Sequence, residues 1–71
     1  MFSVSLRRAE HTRHYSIRPQ KGMGWEVKLE EDRRLCHRAC YRDWHRVERA
    51  LAVFRWEVRK LTACGWTVSD K

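Results

Sequence analysis

The sequence predicts an α+β fold in which three antiparallel strands precede one C-terminal amphipathic helix. Two patterns carry that expectation. Trp44, Val47, Leu51, Phe54, Val58 and Leu61 recur at spacings of 3, 4, 3, 4 and 3. Those spacings return each side chain to one face of an α-helix, because about 3.6 residues complete a turn. Upstream, Tyr15 and Ile17 alternate with His14, Ser16 and Arg18, and Trp25, Val27 and Leu29 alternate with Glu26, Lys28 and Glu30. A period of two belongs to strands with one face buried.

Taken in chain order, residues 1–10 show no sustained period and are expected to form a flexible N-terminal arm, with a single small domain over residues 11–71. Residues 12–18 make the first strand. Pro19, Gly22 and Gly24 then interrupt the pattern and place a loop over residues 19–24. Residues 25–30 make the second strand, so the two runs form a hairpin. Residues 33–42 read in two ways. As a third strand they turn Leu35, His37, Ala39 and Tyr41 inward and leave Arg34, Cys36, Arg38, Cys40 and Arg42 outside. Alternatively the hairpin is followed by one long helix from about residue 30, because no Gly or Pro intervenes before Ala63 and Cys36, Cys40 and Trp44 extend the stripe. Such a helix would be about three times the usual length. Asp43 is also a sound N-cap just ahead of Trp44. The strand is therefore preferred. The helix is expected over residues 44–63, with Arg59 and Lys60 complementing its dipole and Gly65 ending it. Trp66 and Val68 are expected to fold over the helix end or to join the sheet.

Composition narrows the function. The chain of 71 residues carries 16 Lys and Arg, 12 of them Arg, against 9 Asp and Glu, for a net charge of +7. Such a surplus favours acidic partners, whether nucleic acid, an anionic surface or an acidic protein. The plainer reading of that charge is a solvated surface. Three Cys form an odd set without the density of a disulfide scaffold, so reduced thiols and a cytoplasmic location are expected. The first residues lack the apolar core of a secretory signal, and no run approaches the ~20 apolar residues that span a bilayer.

The favoured function is non-enzymatic binding. Trp56 lies about 180° from Val47 around the helix, on the side turned away from the sheet. Arg49, Ala52, Val53, Lys60 and Ala63 surround it. A large aromatic among small apolar neighbours has the composition of a contact surface, for a homodimer or for a different protein partner. The alternative is DNA binding by the outer face of the sheet through Arg18, Lys28, Arg34, Arg38 and Arg42, an architecture some DNA-binding domains use. Two acids in the middle strand and inward-facing aromatics weaken it, since binders of single strands stack bases on exposed rings. A third set, His14, Cys36 and Cys40, offers zinc-type ligands, but no tight second pair accompanies Cys36 and Cys40 and no metal is expected. Enzymatic chemistry ranks last. There is no paired-carboxylate site, no oriented nucleophile and base, and no phosphate-cradling Gly-rich loop. Neither a cofactor nor a small-molecule substrate is expected.

Overall fold

Alternating apolar residues build five strands, and the 3.6-residue stripe builds one helix across them. The computed structural model describes residues 2–22 and 24–69. The strands are β1 (Phe2–Arg8), β2 (His11–Gln20), β3 (Gly24–Glu31), β4 (Arg34–Tyr41) and β5 (Thr67–Ser69), with α1 (Trp44–Ala63) between the last two. Their order across the sheet is β4-β3-β2-β1-β5. The first four make an antiparallel meander, and the chain returns after α1 to add β5 beside β1.

The structure thus keeps the α+β class, the antiparallel sheet and the C-terminal helix, and corrects the strand count from three to five. Residues 2–8, expected as a flexible arm, are a strand paired on both sides. Phe2, Val4 and Leu6 alternate with Ser3, Ser5 and Arg7, and the register Phe2↔Ile17, Val4↔Tyr15, Leu6↔Arg13 puts the apolar set on the helix side. Leu6 is buried, so the segment supplies core. The loop expected over residues 19–24 is shortened from both sides, since β2 runs to Gln20 and β3 begins at Gly24; Met23 lies outside the described residues. The long-helix alternative is ruled out, because Arg34–Tyr41 pairs with β3 along its length.

The core takes Leu6, Tyr15, Ile17 and Val27 from the sheet and Val47 and Phe54 from α1. Around it pack Phe2, Val4, Trp25, Leu29, Tyr41, Leu51, Val58, Leu61 and Trp66. Full burial of one large apolar side chain contributes roughly 1.5–3 kcal/mol, so a core this small leaves a narrow margin. The rings meet at angles that suit their quadrupoles. Tyr15 and Phe54 lie edge to face at 4.8 Å, and Trp25 and Trp44 are tilted at 5.0 Å.

Both helix ends are satisfied. The Asp43 carboxylate accepts from the His45 N–H at 3.0 Å, as an N-cap does. At the other end Gly65 takes φ +103°, the Trp66 N–H donates to the Leu61 carbonyl at 3.1 Å, and the Gly65 N–H donates to that of Thr62 at 3.4 Å. That pair of bonds is a Schellman motif, and it turns the chain sharply back so that β5 can reach β1.

Candidate functional site

On the side of α1 away from the sheet, Trp56 is 55% exposed and Val53 51%. Arg49, Ala52, Lys60 and Ala63 are exposed around them. The Lys60 ammonium sits 4.8 Å from the Trp56 ring centroid, a cation–π contact that sets a positive charge beside the exposed ring. All six side chains assigned to this surface therefore lie open to solvent, with Val53 rotated toward β4.

The outer face of the sheet, opposite α1, carries a different set from the one expected. Arg18, Lys28 and Arg38 lie on it, in register with Glu26, Ser16 and Lys28 respectively. Arg34 does not. The ladder runs regularly from Trp25↔Tyr41 to Leu29↔His37, then steps to Glu30↔Leu35 and Glu31↔Arg34. Cys36 is left over as a bulge, and the extra residue reverses the sense of everything before it in β4. Leu35, expected in the core, turns to the outer face and is 56% exposed. Arg34 turns to the helix side, where Arg13 and Glu31 already pair at 2.7 Å. Arg42 falls beyond the strand, in the bend that leads to α1. Of the three arginines and one lysine that remain in strands, Arg38 is bound by Glu26, whose carboxyl it holds below the usual carboxylate range.

The centre of this face is a patch of small hydroxyls. The Ser5 hydroxyl lies 2.7 Å from His14 Nδ1, and Ser3 lies 3.5 Å from its Nε2. Ser16 is buried between Ser3 and Lys28, and its hydroxyl has no hydrogen-bond partner among the described residues. His14 uses both ring nitrogens on serines. Cys36 sits in the bulge and Cys40 stands opposite Glu26. The three zinc-type candidates are not brought together, and no group of three His, Cys, Asp or Glu among the described residues is arranged to hold a metal ion.

On the inner face a polar chain enters the core from the side. Arg13 donates to the Tyr15 hydroxyl at 3.0 Å, and Tyr15 donates to Glu57 of α1 at 2.8 Å. Burial, and then the Glu57 hydrogen bond, raise the Tyr15 phenol above its ordinary value. The network pins α1 to β2 and holds the Glu57 carboxylate.

Next to Glu57 lies a concavity of about 620 Å³ between α1 and the β3–β4 half of the sheet. Val27, Leu29 and Tyr41 form its floor, Ala50 and Val53 its helix wall, and His37, Arg46 and Arg49 its rim. Sequence reasoning did not identify Arg46, Ala50 or His37 as surface-forming partners of Val53. The signal was the angular position of Ala50, Val53 and Glu57 on one flank of the stripe, which leaves that flank with small side chains beside an edge strand. No helix among the described residues is long and apolar enough to cross a membrane. No family model, curated protein or solved structure matches the chain.

Proposed function

We propose that this protein acts by binding another protein chain, without catalysis, through the exposed side of α1 centred on Trp56. The observation that carries the reading is the joint exposure of Trp56 and Val53 on a helix whose opposite side supplies the core. An exposed Trp that association would bury, with an Arg beside it, has the composition of interface hot spots. Arg49 and Lys60 beside it favour a partner with carboxylates, and the net charge of +7 opposes close approach of a second copy. Self-association through two antiparallel α1 surfaces is the simplest version to test, since twofold pairs dominate soluble oligomers.

The test is solution mass by light scattering, in reducing buffer at moderate salt, for the wild-type chain and Trp56→Glu. A wild-type dimer that becomes a folded monomer on substitution supports self-association. A wild-type monomer removes the homodimer and leaves a different acidic chain as the partner. If Trp56→Glu alters neither mass nor any binding event, the reading fails.

A second reading, nucleic-acid binding by the outer face, draws on one observation. That face is uncovered by any described element and carries Arg7, Arg18 and Lys28. Glu26, Glu30 and the engagement of Arg38 work against it. Arg18→Ala with Lys28→Ala is expected to weaken any DNA binding and to flatten its dependence on salt.

A further inference from the structure

The hollow beneath α1 exists because the side chains around it are small. Opposite Val27 the edge strand offers only Ala39, and the flank of α1 above offers Ala50 and Val53. Leu29 and Tyr41 are therefore half-buried, whereas Val27 is fully buried. The space follows α1 from Arg46 to Glu57, about 16 Å of helix, and β4 from His37 to Tyr41, about 13 Å of strand. It is an elongated trough with an apolar floor, and its 620 Å³ is the size of a small-molecule site. Its charge is concentrated at one end. Arg46 and Arg49 stand three residues apart on the lining flank, where like charges repel, and neither forms an ion pair among the described residues. The carboxylates nearest in the helix are engaged elsewhere. Asp43 accepts from the His45 N–H at 3.0 Å, and Glu48 lies 3.7 Å from His45 Nδ1. Glu57, at the far end of the trough, accepts from the Tyr15 hydroxyl at 2.8 Å.

We propose that this trough binds a free medium-chain carboxylate, with the alkyl chain along Leu29, Tyr41 and Val53 and the carboxylate held by Arg46 and Arg49. Two exposed guanidinium groups without a carboxylate partner match an anionic head, because the planar fork of each meets both oxygens of a carboxylate. An anion between them also relieves their mutual repulsion. The trough is longer than a compact ring would fill, and an extended hydrocarbon chain buries its floor along the whole length. Glu57 fixes the direction: a second negative charge is disfavoured at its end, so the head lies toward the start of α1 and the chain runs toward Glu57. The site goes beyond the protein-binding reading. It shares Arg49 and Val53 with the exposed side of α1 but does not include Trp56.

The probe is octanoate, titrated below its micelle-forming concentration into the full isotope-labelled chain and followed by amide shifts and calorimetry. One saturable site is expected, with shifts concentrated at residues 37–41 and 46–53. Octan-1-ol keeps the chain without the charge and should bind at least tenfold more weakly, and octyltrimethylammonium more weakly still. Arg46→Glu, at an exposed position outside the Trp56 surface, should weaken octanoate binding at least tenfold while the circular dichroism stays that of the wild type. Ala50→Leu fills the trough and should weaken octanoate and octan-1-ol alike. Trp56→Glu should leave octanoate binding within twofold of the wild type. The proposal is overturned if octanoate and octan-1-ol bind the wild-type chain equally, if the shifts centre on Trp56 or on Arg18 and Lys28 of the outer face, or if no saturable binding occurs. Sedimentation with phosphatidylglycerol vesicles while free octanoate fails to bind would mark a contact with lipid surfaces and would overturn it equally. The protein-binding reading is judged separately, by the solution mass of Trp56→Glu, which none of these ligand titrations decides.

Discussion

At Gly24 the backbone runs at φ +87°, and a Cβ there would overlap the Tyr41 carbonyl oxygen and stand 2.9 Å from the Arg42 Cα. Gly22 has a similar φ of +71° but open space around it. Two Gly→Ala substitutions therefore separate conformational strain from collision. Gly22→Ala should cost about 1–2 kcal/mol for the left-handed backbone alone. Gly24→Ala should cost roughly 2–4 kcal/mol, because the end of β4 must also move; denaturant unfolding of the two variants checks the difference. Tyr15 makes a prediction about pH. Its phenol is raised by burial and by Glu57, so the folded chain keeps the proton where an unfolded tyrosine, near 10, has lost it. The stability this contributes is complete below that unfolded value and falls as pH rises toward the folded one. Tyr15→Phe should flatten the alkaline decline, which thermal melts from about pH 8 to pH 11 would show. Asp32 acts at the other end. Its carboxylate accepts from the Thr12 N–H at 2.9 Å and lies 3.3 Å from His11, contacts that lower its pKa in that order. That contribution is present above the ordinary carboxyl value and is lost as pH falls through the folded one, so Asp32→Asn should flatten the acid limb of the same profile.

Elements differ in how plainly the sequence announces them. Six stripe positions, a capping Asp43 and a terminating Gly65 specify α1 redundantly, and the helix runs over the predicted residues 44–63. β2 and β3 follow from clean alternation. β1 has the same alternation in Phe2, Val4 and Leu6, but three of its neighbours are small or polar, and so short a run at a chain end reads as an arm until its partners are known. β5 has three residues, too few to carry a period. The bulge at Cys36 is invisible for a different reason: alternation looks continuous through residues 33–41, and only the register with β3 reveals the extra residue. The groove escapes the sequence too, since it depends on where α1 crosses the sheet, whereas the exposure of Trp56 follows from its angle on the helix. The turns add a prediction of their own. Asp32 and Arg33 have φ of +51° and +68°, the signs of a type I′ hairpin turn, whose second position favours Gly. Arg33→Gly should stabilise the chain by about 1 kcal/mol and raise Tm by roughly 4–8 °C.

For the molecule as a whole, the sheet has one covered face and one bare face, and every strand from β1 to β3 contributes to the covered one. Leu6 is 1% exposed. Leu6→Ala should therefore cost about 2–5 kcal/mol, a large share of the total stability of a domain this size. A chain beginning at Ala9 should lose cooperative thermal unfolding altogether, because it forfeits Phe2, Val4 and Leu6 and leaves β5 without its partner; a sharp melt in that truncation would contradict the role assigned to β1. Strand β4 belongs to the same whole in a less obvious way. Cys36 acts as a frame shift written into the backbone: delete it, and Leu35 and Arg34 stay on their present faces, since the ladder already steps over that residue. What such a deletion would change is the outline of the edge. With the kink gone, the strand would offer a straight border from Arg34 to Tyr41, guarded against edge-to-edge pairing by its arginines alone. The single unpaired residue is thus a kink that denies the outer edge of the sheet a straight border along its full length.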